Sequence, residues 1–325
     1  MDWAGRRVLV TGAAGFIGSH VVEALVALGA RVTAFVRYTS RASVGFLSSQ
    51  TSDIQIVAGD LTEYESVYRA MKEQECVFHL GAVIGVPYSF VHPREVVYVN
   101  TIGSLNVLTA ARETGPRRVV LTSTSEVYGT ARYVPIDEEH PLQAQSPYAA
   151  SKIAADKLAQ AFHHSYGLPV SIVRPFNTFG PRQSLRAVIP TIIAQTLRGG
   201  EISLGATTPT RDFTFVKDTV RGMVRCAEAD EAVGEVINFG TGRETSIGDL
   251  AKKIASLIGR DIEIVGDEQR LRPGVSEVRR LCCNNAKAQR LLGWQPQCSL
   301  EEGLQRTIDW LKGSDYPHEP RQYHI

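Results

Sequence analysis

The sequence contains no apolar stretch of the roughly 18 residues that a helix needs to cross a bilayer. Its opening residues, MDWAGRRVLVTG, run straight into a strand-like segment and lack the apolar core of a secretory signal. These two absences give no reason to expect contact with a membrane, and we expect a cytoplasmic protein.

Net charge and cysteine are also scarce. The 35 Lys and Arg residues nearly balance the 34 Asp and Glu residues, which argues against binding of nucleic acid through bulk electrostatics. The cysteines are odd in number and show no C-x-x-C pair or Cys/His spacing that is typical of zinc. We therefore predict reduced, mostly structural cysteines and no metal site. The five cysteines are Cys76, Cys226, Cys282, Cys283 and Cys298.

What the sequence does contain is a regular alternation of strand-like and helical segments in its first half. The β-rich runs occupy residues 7–11, 31–36, 54–57, 76–80, 118–122 and 170–173. Segments with helical apolar spacing occupy residues 16–29, 63–72, 94–114 and 147–166. This alternation is typical of an α/β fold with a doubly wound parallel sheet and helices on both faces.

The second half has the pattern of a smaller α/β lobe that is interleaved with the first domain. We predict its helices at 190–198, 246–258 and 299–311, and its strands at 201–204, 213–216 and 262–265. Residues 233–239 are predicted to return to the large sheet. The predicted larger domain covers residues 1–175 and about 214–239, the smaller lobe covers 176–213 and 240–315, and 316–325 form a tail.

A glycine-rich turn joins the first predicted strand to the first predicted helix. Gly12 permits a tight turn, Gly15 lets backbone N–H groups approach a pyrophosphate, and Gly18 allows close packing of helix and strand. The strand before the turn and the helix and strand after it are the context that this motif requires. We therefore predict a dinucleotide-binding Rossmann domain, with Phe16 and Ile17 also at the cofactor.

The end of the second strand bears on which dinucleotide binds. An acid at this position usually binds the ribose 2′-OH of NAD, but the sequence between residues 34 and 40 has none. Arg37 and Ser40 are candidates to bind a 2′-phosphate, which favours NADP over NAD. Two alternatives for Arg37 stay open, stacking on adenine or a solvated surface charge. Asp60 and Leu61 are predicted to lie at the adenine end.

Tyr148 and Lys152 are one helical turn apart and therefore share a face of the predicted helix. A Lys ammonium beside a phenol favours the phenolate and lowers the pKa of the tyrosine. Such a tyrosine can exchange a proton with a substrate hydroxyl while a nicotinamide takes hydride. The pair therefore predicts redox chemistry at the glycine-rich turn.

Together these features resemble the extended short-chain dehydrogenase/reductase family, and the resemblance covers most of the chain. The matching residues are Gly12, Gly15, Gly18, the segment His79-Leu-Gly-Ala82, Asn100, Thr124, Tyr148, Lys152 and the segment Arg174-Pro-Phe-Asn-Thr-Phe-Gly-Pro181.

The resemblance implies a Rossmann domain with a smaller lobe that binds a nucleotide sugar. It implies a catalytic triad of Thr124, Tyr148 and Lys152, and a tightly held cofactor that is regenerated in each turnover. The implied cofactor contacts are Leu80, Ala82, Asn100, Tyr148, Lys152 and Pro175. The implied substrate contacts are Asn177 and Arg211 at the diphosphate, Arg272 as a second phosphate ligand, and Val188 and Leu204 in the nucleotide pocket.

The branch of the family depends on the segment Thr124-Ser125-Glu126. Nucleotide-sugar 4,6-dehydratases typically carry Thr-Asp-Glu, in which Glu removes the C5 proton and Asp helps to protonate the leaving hydroxyl at C6. Glu126 matches the glutamate that acts as the base in those enzymes. Ser125 stands where they have Asp, and a serine cannot replace a carboxylic acid near neutral pH. Either Glu126 carries the proton to O6 or a water near Ser125 relays it. UDP-glucuronate decarboxylases also carry Thr-Ser-Glu, so the triplet alone does not decide.

Four other stretches, residues 128–142, 182–190, 208–213 and 269–273, are similar to the 4,6-dehydratases of the legionaminic-acid pathway. That similarity implies conversion of a nucleotide-linked N-acetylglucosamine to its 4-keto-6-deoxy sugar. A UDP-glucuronate decarboxylase and a 4-epimerase remain alternatives, followed by a non-catalytic cofactor-binding protein. The nucleotide base stays open. The family commonly pairs two helices with their copies as a four-helix bundle, so we expect a homodimer through 94–114 and 147–166.

Overall fold

The computed structural model describes residues 2–38, 44–47 and 54–314. Its centre is a sheet of seven strands in the order β11-β6-β5-β4-β1-β2-β3, and every pair of neighbours is parallel. The strands are β1 (Arg7–Thr11), β2 (Arg31–Arg37), β3 (Ile54–Gly59), β4 (Cys76–His79), β5 (Arg118–Thr122), β6 (Val170–Pro175) and β11 (Val236–Phe239). The order reverses between β1 and β4, and ligands of such sheets bind beyond the carboxyl ends of the strands at that switch point.

Helices cover both faces of the sheet because its buried strands are apolar on both sides. Val8 and Val10 of β1 pack in the core that includes α1 and α8, whereas Leu9 packs with α2, α5 and α6 on the other face. The helices are α1 (Phe16–Ala27), α2 (Tyr64–Met71), α3 (Val86–Val91), α4 (Pro93–Val97), α5 (Gly103–Thr114), α6 (Pro147–Tyr166), α7 (Val188–Arg198), α8 (Val216–Glu228), α9 (Ile247–Ile258), α10 (Ala286–Leu292) and α11 (Leu300–Gly313).

Three two-stranded sheets lie outside the large sheet, and α7, α9 and α11 pack against one another beside them. Their strands are β7 (Thr178–Phe179) with β10 (Thr214–Phe215), β8 (Glu201–Leu204) with β13 (Glu263–Gly266), and β9 (Thr210–Arg211) with β12 (Thr245–Ser246). A small core of Val127, Tyr128, Ile136, Phe176 and Val278, together with neighbouring residues, joins this region to the segment after β5.

The predicted α/β fold with a doubly wound parallel sheet is confirmed, and 233–239 contains β11, which returns to pair with β6. The uninterrupted helix that we expected at 94–114 is wrong. Its middle is one turn of π-helix at Tyr98–Ile102, between α4 and α5. Helix α8 was not predicted. The division into two interleaved domains stays a prediction, and its tail at 316–325 lies outside the described residues.

All five cysteines are described, none of them forms a disulfide, and four are buried. Burial raises the pKa of Cys76 to about 12, so this thiol has little tendency to ionise. None of the helices in the described ranges is both long and apolar enough to span a bilayer. The described residues also contain no group of three or more His, Cys, Asp and Glu side chains that could hold a metal ion.

Candidate active site

The glycine-rich turn between β1 and α1 leaves no room for side chains. Gly12 has φ +67°, and a Cβ there would lie 2.8 Å from the backbone of Gly81, just beyond β4. A Cβ on Gly18 would lie 2.1 Å from the carbonyl oxygen of Gly12. Gly15 is the N-cap of α1 and supplies no side-chain hydrogen bond, so the first N–H groups of the helix remain available. This cradle fits a pyrophosphate at a helix N-terminus, with Phe16 and Ile17 as the first residues of α1.

The predicted adenosine end lies at the carboxyl ends of β2 and β3. Arg37 is the exposed last residue of β2, and its charge acts on Asp60, which follows β3. The Oδ1 atom of Asp60 accepts hydrogen bonds from the Thr62 backbone N at 2.9 Å and from Thr62 Oγ1 at 2.8 Å. The hydrogen bond from the Thr62 backbone is the largest cause of a lowered pKa for Asp60. Ser40 lies outside the described residues.

Three buried polar side chains, those of Thr11, His79 and Ser104, are linked by hydrogen bonds beside the backbone that follows β4. His79 is hydrogen-bonded through Nδ1 to Thr11 Oγ1 at 2.7 Å and through Nε2 to Ser104 Oγ at 3.0 Å. Burial lowers the pKa of His79 to about 3, so the ring is neutral. Together these hydrogen bonds join β1, β4 and α5 beneath Leu80 and Ala82, two of the predicted cofactor contacts.

Asn100 lies in the π-helical turn, and its whole amide is engaged. Its Oδ1 accepts from the Val83 backbone N at 2.8 Å, and its Nδ2 donates to the Val83 carbonyl at 3.0 Å and to Ser151 Oγ at 2.9 Å. Asn100 therefore connects the loop after β4 to α6. With its amide engaged in this way, Asn100 holds the backbone at Val83 and does not offer a free side chain to the predicted cofactor.

The predicted triad comes together between the end of β5 and the first turns of α6. Thr124 caps the 3₁₀ turn Ser125–Tyr128, and its Oγ1 accepts a hydrogen bond from the Glu126 backbone N at 3.2 Å. Lys152 donates from Nζ to the Thr122 carbonyl at 2.6 Å. Ser125 is buried, whereas Glu126 keeps some exposure. The helix that carries Tyr148 and Lys152 is N-capped by the Ser146 side chain, which fixes where its first turn begins.

The electrostatics of the Tyr148–Lys152 pair differ from the expectation. We expected Lys152 to lower the pKa of Tyr148, but burial raises the pKa of this tyrosine, and a hydrogen bond with Thr124 only partly opposes the rise. Burial also lowers the pKa of Lys152 to about 8. Both shifts follow from removing charged forms from water, which outweighs the contacts that would stabilise the phenolate.

The predicted substrate residues line one cavity of about 340 Å³, which is within the usual size range of ligand sites. Asn177, which directly precedes β7, has a buried Oδ1 that finds no hydrogen-bond partner among the residues that the structure describes. Arg211 of β9 donates to the Thr210 carbonyl at 3.0 Å and to Glu277 at 3.2 Å. The five predicted residues on this wall are Asn177, Val188, Leu204, Arg211 and Arg272.

Arg272 connects the cavity to the triad. Its Nη1 lies 3.7 Å from Oε2 of Glu126, a distance that makes an ion pair but not a hydrogen bond. The same Nη1 is buried, and within the described part of the chain it has no hydrogen-bond partner. The cavity therefore presents N–H donors to an anion at the place where it meets the carboxylate of Glu126.

Sequence reasoning missed several residues of this region. Arg186 and Glu277 line the cavity, as do residues 85–87 at the start of α3. The charge of Glu277 opposite Arg211 has no local signal, because 66 residues separate the two. A buried pair of Asp156 and Arg174 was also missed, although Asp156 follows Lys152 by one helical turn.

The sequence pattern of the family described as GDP-mannose 4,6 dehydratase matches residues 9–307, which is most of the chain. The chain belongs to this family.

Relatives of this GDP-mannose 4,6-dehydratase-family protein carry several names. The chain is 36% identical over 318 residues to a UDP-glucose 4-epimerase of Mycolicibacterium smegmatis, and the match covers 94% of this chain and 98% of that protein. It is 33% identical over 319 residues to a UDP-N-acetyl-alpha-D-glucosaminuronate decarboxylase of Bacillus cytotoxicus, covering 94% and 98%.

A solved structure of the dTDP-glucose 4,6-dehydratase of Streptomyces venezuelae with NAD bound has the same fold as this family member. The TM-score is 0.85 at 32% sequence identity, and the match covers 94% of this chain and 97% of that one. Epimerases, decarboxylases and dehydratases are thus all similar to this protein, and membership of the family does not choose among them.

Proposed function

We propose that this protein is a nucleotide-sugar 4,6-dehydratase that converts an NDP-N-acetylglucosamine to the 4-keto-6-deoxy sugar. The observation that carries the proposal is the position of Glu126. Its carboxylate acts on Tyr148 on one side and pairs with Arg272 of the cavity on the other. A 4-epimerase has no need of a carboxylate at that point, whereas elimination across C5 and C6 needs a base there.

The side chains of this protein divide the work as follows. Tyr148 accepts the proton of the sugar O4 hydroxyl, with Lys152 and Thr124 as its supports. A nicotinamide dinucleotide held at the turn of Gly12, Gly15 and Gly18 would supply the acceptor for the hydride of C4 and the donor of hydride to C6. Glu126 removes the C5 proton that the 4-keto group has acidified. Arg211 and Arg272 bind the diphosphate and so fix the distance between the sugar and Glu126.

The proton that the departing C6 hydroxyl needs is the open step of this proposal. Ser125 is buried in the 3₁₀ turn and cannot act as an acid near neutral pH. We infer that Glu126 carries the C5 proton to O6, because its carboxylate follows Ser125 directly in the same 3₁₀ turn and has taken the proton from C5. A water that is held near Ser125 is the alternative route.

A decarboxylase is the second candidate. The Thr-Ser-Glu triplet occurs in UDP-glucuronate decarboxylases, and a relative at 33% identity is named as a decarboxylase of a glucosaminuronate nucleotide. Decarboxylation of a 4-keto acid releases carbon dioxide without protonation of a leaving hydroxyl, so Ser125 would suit it. The similarity of residues 128–142 and 182–190 to legionaminic-acid-pathway dehydratases is what favours dehydration.

Mass spectrometry of reaction mixtures tests these candidates directly. The purified protein is incubated separately with UDP- and GDP-N-acetylglucosamine and with UDP-glucuronate. We expect one N-acetylglucosamine nucleotide to lose the mass of one water. Loss of one carbon dioxide from the glucuronate would replace the proposal with a decarboxylase, and an unchanged mass with a new sugar stereochemistry would replace it with an epimerase. No turnover of any nucleotide sugar would favour a cofactor-binding protein.

The cofactor is proposed to be tightly held, and NAD is supported by the NAD-bound structure of the Streptomyces dehydratase. The expectation of NADP rests on Arg37, which is exposed at the end of β2 and close enough to Asp60 to act on its charge. An acid so close to Arg37 is less favourable for a 2′-phosphate than Arg37 alone suggests. Denaturation of the purified protein releases the cofactor, and its mass in the same spectrometer distinguishes NAD from NADP.

A homodimer is proposed through α4, α5 and α6. Val97 and Tyr98 are exposed apolar residues beside a surface groove that Pro93 and Ile102 also line. A second copy of the same helices would cover this face as a four-helix bundle. We expect light scattering at micromolar concentration to give the mass of a dimer. Replacement of Val97 by Glu should then give a monomer, and a monomeric wild-type protein would contradict the proposal.

A further inference from the structure

A buried ion pair lies one helical turn behind the proposed proton-transfer residues and has no part in the proposed function. Asp156 is on α6, four residues after Lys152, and is wholly buried. Its Oδ2 accepts a hydrogen bond from Nε of Arg174 on β6 at 3.0 Å, and Nη2 of the same arginine lies 2.9 Å away as an ion pair. Its Oδ1 has no hydrogen-bond partner among the described residues.

Arg174 also reaches the turn that carries Glu126. Its Nη1 donates to the hydroxyl of Tyr128 at 2.8 Å, and that hydroxyl donates to Oδ1 of Asn238 at 2.7 Å. Tyr128 closes the 3₁₀ turn in which Glu126 lies. One guanidinium therefore joins the helix of Tyr148 and Lys152 to the segment of the proposed base.

Stability alone does not account for this pair. Burying two charges carries a desolvation penalty that their attraction only partly repays, and apolar residues of similar volume often serve as well. Burial raises the pKa of Asp156, and the charge of Arg174 and its hydrogen bond from Nε oppose that rise, so both favour the ionised carboxylate. Burial acts to lower the pKa of Arg174, but the Asp156 charge outweighs it and the pKa is raised.

The negative charge of Asp156 stabilises the ammonium form of Lys152. The Lys152 side chain is buried, and its ammonium donates to a single carbonyl, that of Thr122. Burial lowers the pKa of Lys152 to about 8, and among the described residues Asp156 is the one charged group that acts against that fall. His79 beneath it is neutral, because burial lowers its pKa to about 3.

The other charged or titratable groups near α6 do not perturb Lys152. They belong to the 3₁₀ turn, α3, α4, the π-helical turn, α5, β6 and α6 itself. They are Glu126, Tyr128, Tyr88, Arg94, Glu95, Tyr98, Arg112, Glu113, Arg174, Tyr148, Lys157, His163, His164 and Tyr166.

We propose that Asp156 is a positioning residue, anchored by Arg174, whose buried negative charge keeps Lys152 in its ammonium form beside Tyr148. This inference rests on the proposed function in one respect, that Lys152 and Tyr148 support proton transfer. It holds equally for dehydration, decarboxylation or epimerisation, because all three begin with oxidation at C4. It assigns a role to a residue that does not touch substrate or cofactor.

The test compares Asp156→Asn with Tyr128→Phe in the full chain with its cofactor bound. Both variants remove hydrogen bonds from Arg174, but only Asp156→Asn removes the negative charge near Lys152. Without Asp156 the pKa of Lys152 falls further, so its ammonium form is lost at a lower pH. We expect the alkaline limb of kcat to move down by about one pH unit in Asp156→Asn and to stay in place in Tyr128→Phe.

A second measurement does not depend on turnover. The chain has only eight lysines, so ¹³Cε-labelled lysine gives few signals, and Lys152→Met identifies the one that belongs to Lys152. The pH midpoint of the Lys152 signal should fall in Asp156→Asn by the same amount as the alkaline limb of kcat. If Asp156→Asn does not fold, Asp156→Ser removes the charge and leaves space for water beside Arg174.

An unchanged Lys152 midpoint in the neutral variants, or an equal shift in Tyr128→Phe, would overturn the role of Asp156. Failure of the proposed function has a different signature. No nucleotide sugar would then be converted by the wild-type protein, while the lysine titration would still report on Asp156.

Discussion

Replacing Tyr148 by Phe is expected to lower kcat by two to four orders of magnitude, the usual contribution of a positioned acid–base group. Tyr148 is the proposed acceptor of the O4 proton, and the phenylalanine ring keeps its packing but cannot take the proton. Burial raises the pKa of this tyrosine, and the hydrogen bond with Thr124 is the contact that opposes the rise. The loss should appear in the first hydride transfer, measured as reduced nicotinamide absorbance in a single turnover.

Binding of the nucleotide sugar is expected to change little in the same variant, because the diphosphate contacts lie on Arg211 and Arg272. Tyr64→Phe is the matched control. Tyr64 lies on α2 and donates its hydroxyl to Glu113 at 2.6 Å, away from the cavity. It should keep the wild-type rate. A Tyr148→Phe variant that retains more than about a tenth of the wild-type kcat would remove Tyr148 from the proton transfer.

The large sheet could be predicted because its signals are local. Strands such as β5 are short apolar runs, and α6 is bounded by a Ser146 cap, Pro147 at its first position and Gly167 in the left-handed conformation. The prediction of this helix at 147–166 therefore matches the structure residue for residue. Helix α8 escaped prediction because β10 runs into it without a side-chain cap.

The π-helical turn could not be predicted from apolar spacing. Apolar residues continue through Tyr98–Ile102, so the pattern indicates one long helix. The amide of Asn100 reaches the backbone of Val83, and these hydrogen bonds depend on a loop 17 residues earlier in the chain. Turns of this kind are frequent at functional sites and are set by tertiary contacts.

The candidate site also has features that local sequence predicts and features that depend on tertiary packing. The roles of Gly12 and Gly18 follow from one motif, and the close backbone approaches agree with them. The direction of the pKa shift of Tyr148 could not be predicted, because a spacing of four residues carries the sign of the neighbouring charge but says nothing about burial. The pairing of Asp156 with Arg174 is likewise a property of the packed core.

Glu126→Gln is expected to separate the two halves of the proposed reaction. The amide cannot remove the C5 proton, so formation of the dehydrated sugar should fall by about two to four orders of magnitude. Oxidation at C4 depends on Tyr148 and should continue. A single turnover is therefore expected to accumulate reduced nicotinamide without loss of water from the sugar, and exchange of the C5 hydrogen with deuterated solvent should stop.

Glu277→Gln is the matched control for this change, because Glu126 also pairs with an arginine of the cavity. Glu277 forms an ion pair with Arg211 and Glu126 forms one with Arg272. The charge of Glu126 also acts on Arg211, and of the two glutamates only Glu126 acts on Tyr148. Loss of an arginine partner alone should change KM in both variants and leave C5 exchange intact in Glu277→Gln. If Glu126→Gln dehydrates at the wild-type rate, or if both variants lose C5 exchange equally, Glu126 is not the base and its carboxylate serves only to hold Arg272.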